Sequence, residues 1–243
     1  MGALSITSLL SFEITNGCNL QNVHNKCPIN CRKHKTKGKS LDKLSVVRTI
    51  KKAQEMGFTG MVAFHYYNEP LLKKDLVLSI MDEVPNCKYL LWTNALLLSR
   101  KVEENEFLKK FTKVCITCYD RADMEFFQQL SSYYKNIEIF DWELDDRLDI
   151  YCKTKPNKLS CKRPLFEIPI DYCGNIHLCC MDWDNSYDIG NILVENFEDI
   201  INGEKYQELI RMCKGRLIDE KVCPKICKTC DKMWVSYPHY YDE

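Results

Sequence analysis

The chain has 243 residues, of which 45% are hydrophobic and 28% charged, and its formal net charge is zero. That composition supports one large packed domain, or one domain with a small appendage, and argues against wholesale disorder. Balanced charge gives no global attraction to nucleic acid or to a membrane surface, and no stretch has the length of a membrane span.

Fifteen cysteines are many for this length. The opening residues MGALSITSLLSFEITNGC lack a basic n-region, and Ser, Thr and Glu interrupt the apolar run. They read as a first strand rather than a secretory signal. The expectation is a reduced, cytoplasmic protein whose cysteines serve metals rather than disulfides.

In chain order, Ser5 to Thr15 reads as a buried strand that runs into a loop. The loop carries Cys18, Cys27 and Cys31 in a C-x8-C-x3-C spacing. Thiolates are soft ligands suited to iron–sulfur clusters and to zinc. Three of them leave one metal position open for chemistry, whereas His24 or His34 would complete a closed zinc site. The basic run Arg32 to Lys43 follows, either a solvated loop or a patch that attracts phosphate or carboxylate.

Leu41 to Met56 has helical apolar spacing, with Gly57 as its stop. Gly60 to His65 is a short apolar strand, and Asn68-Glu69-Pro70 turns the chain. A helix over Lys74 to Val84 and a strand over Tyr89 to Trp92 lead to Thr93-Asn94. Leu97 to Phe111 is helical in character, Lys113 to Thr117 a strand, Asp123 to Tyr133 a helix and Ile137 to Trp142 a strand. Helix and strand thus alternate to about residue 150, the pattern of a parallel sheet with crossover helices. Such sheets place ligands at the C-terminal strand ends. Cys18, Glu69, Asn94 and Thr117 all fall there, which points to one shared site. Cys118 follows the same strand as Thr117. Candidate proton handlers at these ends are His65, Tyr66, Asp141, Glu143 and Arg147.

Beyond Tyr151 the pattern changes. Phe166 to Asp171 and Ile176 to Cys179 flank a Gly-centred turn and read as a hairpin. Asn196 to Arg211 is a helix. Cys161, Cys179, Cys227 and Cys230 make a closed four-thiolate set that suits zinc or an iron–sulfur cluster. Cys173, Cys180, Cys213 and Cys223 are spare candidates that also read as small buried hydrophobes. The aromatic tail Trp234 to Tyr241 either packs on the domain or stacks on a ligand.

Assembled in order, these pieces resemble the radical S-adenosylmethionine (SAM) enzymes of the branch with a C-terminal twitch or SPASM extension. Cys18-Asn19-Leu20 matches the opening of that family's cluster loop, although the usual spacing is C-x3-C-x2-C. The segment His65-Tyr66-Tyr67-Asn68-Glu69-Pro70 stands where the family has G-G-E-P and keeps only Glu-Pro. Thr93-Asn94 resembles its T-N-G. Cys161 with Gly174-x4-Cys179 fits the signature that opens the auxiliary domain. Length and the four auxiliary cysteines are similar to the twitch dehydrogenases of aminoglycoside assembly.

The resemblance implies an α/β fold: a partial (β/α)6 TIM-like barrel over residues 1–150 and a small cysteine-rich twitch or SPASM-like domain over 151–243. It implies a [4Fe–4S] cluster on Cys18, Cys27 and Cys31 that binds SAM. A second, auxiliary [4Fe–4S] cluster is implied on Cys161, Cys179, Cys227 and Cys230. Asn68, Glu69, Thr93, Asn94 and Thr117 are implied in SAM binding, and Arg147, His65 and Cys118 in catalysis. The implied reaction is cleavage of SAM to a 5′-deoxyadenosyl radical that takes hydrogen from a carbinol carbon of a small polyol, giving oxidation or epimerisation. A small-molecule substrate and an electron donor such as flavodoxin or ferredoxin are the implied partners. Radical modification of a peptide side chain, and a zinc-binding scaffold without catalysis, are the competing readings.

Overall fold

The computed structural model describes residues 4–21, 23, 27–30, 39–141, 159–215, 221, 223–228 and 230. Cys31, Arg147, His24, His34, Glu143 and the tail from Trp234 to Tyr241 lie outside the described residues. One sheet organises the molecule. Its strands are β1 (Leu9–Phe12), β2 (Met61–Ala63), β3 (Lys88–Thr93), β4 (Lys113–Cys118), β5 (Ile137–Asp141) and β6 (Glu167–Ile170). They lie in the order β5-β4-β3-β2-β1-β6, and every pairing is parallel. Among the described residues β5 and β6 do not pair with each other, so the sheet is an open partial barrel.

Helices cover its outer face: α1 (Lys43–Glu55), α2 (Lys74–Glu83) and α3 (Met124–Tyr133), then the short α4 (Arg163–Phe166), α5 (Phe197–Asn202) and α6 (Glu204–Lys214). Strand periodicity sorts the side chains between two faces. Leu10, Phe12, Val62, Phe64, Leu91, Val114 and Ile116 pack with helix residues such as Val46, Ile50, Ile80 and Phe127. Leu9, Met61, Ala63, Leu90 and Cys115 form a smaller concave core, with Trp92 and Phe140 packed against it.

Local chemistry sets the element ends. Asp42 caps α1: its carboxylate accepts the Ser45 N–H at 2.8 Å, which holds the Asp42 carboxyl below its ordinary range. Gly57, at φ 92°, stops the helix. Gly60 begins β2 where β1 passes so close that a Cβ would sit 2.3 Å from the Ser8 carbonyl oxygen.

Three elements differ from the sequence expectation. Leu97 to Phe111 is not an α-helix. A 3₁₀ segment, Val102–Lys110, is bent at Asn105. The Asn105 amide donates to the carbonyls of Ser99, Lys101 and Val102 and accepts from the Ser99 N–H, so a side chain competes with helical pairing. Asn196 to Arg211 is two helices, because Gly203 takes an extended conformation (φ −65°, ψ 153°) between α5 and α6. The hairpin keeps its turn, with Gly174 at φ 86°, but only one isolated antiparallel bridge, Ile170 to Ile176. Its first arm is β6, which pairs with β1 and carries the sheet past residue 150.

Candidate active site and cluster sites

At the C-terminal strand ends, one carboxylate ties together the chain that follows β2 and the end of β3. Glu69, 2% exposed, follows β2. Its Oε1 accepts from Thr93 Oγ1 at 2.7 Å and from the Leu71 N–H at 3.0 Å. Its Oε2 accepts from the Asn94 N–H at 2.9 Å. Burial pushes this carboxyl above its ordinary range, and the three donors pull against that. The Glu69 N–H in turn donates to the Gly17 carbonyl at 2.9 Å, which brings the turn against the cysteine loop. Across that seam the Asn94 and Asn19 side-chain amides donate to each other at 2.8 and 3.3 Å. Asn94 Nδ2 stands 4.0 Å from Cys18 Sγ.

Cys18 receives the Leu20 N–H at 3.4 Å. Burial pushes its thiol up to about 11 even so. Cys18 and Cys27 both pack on a small core of Ile29, Tyr66 and Tyr67. The structure therefore brings Cys18, Cys27, Glu69, Thr93 and Asn94 to one place. Asn68 acts within its own turn: its Oδ1 accepts the Tyr66 N–H at 2.9 Å and its Nδ2 donates to the Phe64 carbonyl at 3.1 Å. Ala95, next after Thr93-Asn94, holds φ 58°, a left-handed conformation uncommon for a residue with a Cβ.

The concave face continues with His65, Trp92, Thr117 and Phe140. The His65 and Trp92 ring centroids lie 5.6 Å apart, and Trp92 stacks on Phe140 at 5.3 Å. The Trp92 indole donates to Thr117 Oγ1 at 2.8 Å. Thr117 and Cys118 alternate: Thr117 meets the concave face, while the Cys118 thiol packs in the helix-side core and donates to the Asp120 carbonyl at 3.1 Å. A separate cavity of about 850 Å³, lined in part by Gly60, Lys88, Lys113 and Glu138, opens at the opposite, N-terminal end of the strands. Parallel sheets do their chemistry at the other end.

The auxiliary cysteines converge independently. Cys161, Cys179, Cys227 and Cys230 line one pocket with Arg163, Met181, Met212 and Ile226. Cys213 and Cys223 line it too. Among the described residues no group of three or more His, Cys, Asp or Glu side chains is gathered as a single-ion site. The set instead surrounds a shared space with soft donors. Burial pushes the Cys179 thiol well above its ordinary value. Thiols in such apolar surroundings are the donors that an iron–sulfur cluster takes as thiolates, so the residues fit that group. Arg163, 8% exposed, was not singled out by sequence; its Nη1 lies 3.0 Å from Cys180 Sγ and 3.7 Å from Glu167 Oε1. Glu13 was also missed. It is fully buried, and its two oxygens accept the N–H groups of Tyr67 and Tyr172 at 3.2 and 3.3 Å. An acidic residue closing an otherwise apolar strand was the one signal available for it.

Comparison with known proteins agrees with both halves of this arrangement. Residues 161–231 match the SPASM iron–sulfur cluster-binding domain, a span that contains all six cysteines lining the pocket. The open parallel barrel is shared with solved structures that hold AdoMet. Residues 161–231 thus form a SPASM-type iron–sulfur cluster-binding domain, carried behind an open parallel sheet whose fold is that of solved structures with bound AdoMet.

Among individual proteins, the chain is 24% identical to the S-adenosyl-L-methionine-dependent 2-deoxy-scyllo-inosamine dehydrogenase of Niallia circulans, over 97% of each chain. The crystal structure of BtrN in complex with AdoMet and 2-DOIA superposes with a TM-score of 0.72 at 22% identity, covering 93% of each chain. That of anSMEcpe with bound AdoMet superposes with a TM-score of 0.57 at 13% identity, covering 92% of this chain and 85% of the other. Among the described residues no helix is long and apolar enough to cross a membrane.

Proposed function

We propose that this chain is a radical SAM oxidoreductase that oxidises a carbinol carbon of a small polyol, with a sugar, aminocyclitol or nucleoside as the substrate class. The observation that carries the reading is the closure of Glu69, Thr93 and Asn94 onto the Cys18 loop, with a cysteine-lined pocket in the same molecule. The full-length similarity to an aminocyclitol dehydrogenase supports oxidation over the other radical chemistries. Cys18, Cys27 and Cys31 would hold the SAM-binding cluster, and Cys161, Cys179, Cys227 and Cys230 the auxiliary one. When bound, these groups supply the electron that cleaves SAM and an acceptor for the electron that the substrate gives up.

The chain's own residues orient and shield. Glu69 and Asn94 face the cysteine loop and would position SAM's polar end. Trp92 and Phe140 offer stacked rings against which the apolar face of a sugar or cyclitol ring can lie. Turning a carbinol into a carbonyl removes one hydrogen atom from carbon, one proton from the hydroxyl and one electron. His65, on the concave face beside Trp92, is favoured as the group that takes the proton. Arg147 is proposed as a second polar contact to the substrate. Cys118 has no part in this scheme, since its thiol packs on the helix side. A one-electron donor, a flavodoxin or ferredoxin, completes the cycle.

The test is anaerobic reconstitution. About eight irons and eight sulfides per chain are expected, from two four-iron clusters. SAM and dithionite should then yield 5′-deoxyadenosine, and a panel of aminocyclitols and sugars should yield one ketone. A colourless protein holding two zinc ions would overturn the reading.

A further inference from the structure

The segment His65 to Pro70 keeps only the Glu-Pro of the motif it resembles, and its two tyrosines do something the motif does not account for. Tyr66 and Tyr67 are 8% and 5% exposed, with ring centroids 4.3 Å apart. Both hydroxyls leave the SAM-binding turn and reach the loop that carries the auxiliary cysteine Cys179. Tyr66 Oη donates to the Asp182 carbonyl at 3.0 Å and lies 3.3 Å from that of Cys179. Tyr67 Oη donates to the Cys180 carbonyl.

The backbone and rings repeat the connection. Glu13, at the end of β1, takes the Tyr67 N–H on one oxygen and the Tyr172 N–H on the other. Tyr66 also packs on His177, at 5.0 Å between centroids, and His177 Nδ1 meets the same Asp182 carbonyl at 2.7 Å. Cys18 and Cys27 pack on one side of the tyrosine pair, and Cys180 and Trp183 pack against the same small core. The two tyrosines are therefore a buried bridge between the two cysteine sites, held by hydrogen bonds to main-chain carbonyls that have a fixed place in the fold.

We propose that Tyr66 and Tyr67 are positioning residues that lock the auxiliary loop at 179–182 to the SAM-binding turn and so fix the separation of the two cluster sites. This rests on the functional reading above. Electron transfer between two centres falls steeply with distance, so a fixed separation keeps SAM cleavage coupled to removal of the substrate's electron. Phe at either position keeps the ring and its packing and removes only the O–H.

The experiment uses the reconstituted, dithionite-reduced holoenzyme without substrate, as wild type, Tyr66→Phe, Tyr67→Phe and the double variant. Spin–spin coupling between the two reduced clusters is read by pulsed electron paramagnetic resonance, beside iron content and SAM affinity. The expected result is a separation that shifts to longer and broader values, most in the double variant. Iron content and SAM affinity should stay within about twofold, a change under about 0.4 kcal/mol. If the double variant loses iron, the two single variants decide. An unchanged separation in the single variants, or a general loss of stability and SAM affinity at unchanged separation, overturns the proposal. A wild-type protein without two clusters would instead overturn the functional reading beneath it.

Discussion

The Glu69 carboxylate receives the backbone N–H of Asn94 at 2.9 Å, joining the ends of β2 and β3 beneath the cysteine loop. Two further donors, Thr93 Oγ1 and the Leu71 N–H, share the same group. Hydrogen bonds to a buried charged group contribute about 1.5–3 kcal/mol each. Glu69→Ala leaves all three donors without their acceptor and should lower the unfolding free energy by about 3 kcal/mol, read by urea titration. Glu69→Gln keeps the shape and loses the charge. It should weaken SAM binding about tenfold in calorimetry, while its stability falls less than that of the alanine variant.

Arg163 lines the cysteine-lined auxiliary pocket and its guanidinium lies 3.0 Å from the Cys180 sulfur. A buried positive charge favours the more negative, reduced state of a cluster nearby. Arg163→Gln should move the auxiliary cluster's reduction potential to more negative values, with Arg163→Lys between it and wild type. A redox titration followed by electron paramagnetic resonance, in protein lacking Cys18 and Cys27, reads that cluster alone. Equal potentials in all three would remove Arg163 from any role in tuning it.

Asp171 and His177 form a buried pair 3.1 Å apart. Burial pushes the Asp171 carboxyl up, but His177 and the Asn175 donors outweigh it and hold it below its ordinary value of 3.8. A depressed carboxyl contributes stability above its unfolded value and loses it as pH falls through the folded one. Asp171→Asn should therefore cost about 1–3 kcal/mol at pH 7. The difference from wild type should persist at pH 5 and close only below the value of 3.8. A gap that closed between pH 7 and pH 5 would assign the effect to another group.

Ala95 is held at φ 58°, directly after Thr93-Asn94. A left-handed conformation costs a residue with a Cβ about 1–2 kcal/mol, and glycine's greater freedom when unfolded returns about 0.5–1 kcal/mol of that. Ala95→Gly should raise stability by about 0.5–1 kcal/mol in urea unfolding, with the Thr93 hydroxyl still accepting the residue 95 N–H as it does at 2.9 Å.

The parts of this molecule legible in sequence are those built from neighbours along the chain. Gly57 ends α1 as the sequence suggests, and β1 to β5 follow from short apolar runs between turn residues. Glu69, Thr93 and Asn94 could be grouped because a parallel sheet aligns its strand ends. What escaped is long in range. Glu167-Ile-Pro-Ile carries a charge and a proline, so β6 does not read as a barrel strand; Glu167 is accommodated by the Cys180 N–H at 2.9 Å and by Arg163. The tyrosine hydroxyls find carbonyls more than a hundred positions away, at |i−j| of 113 and 116. The bend at Asn105 and the break at Gly203 are local, but helical periodicity runs through both and masks them.

The place of β6 has a consequence for how the protein comes to be made. β1 is synthesised well ahead of one of its two neighbours, a strand that begins only at Glu167. Until then the flank of β1 that β6 will occupy stays open, and non-local parallel pairing of this kind is slow and vulnerable to association with other chains. The same segment runs on within a few residues to Cys179 and its loop. Loading iron and sulfide onto the finished pocket would then hold in place the strand that completes the sheet. A cell short of iron would be expected to accumulate less folded enzyme, and not merely enzyme without its clusters.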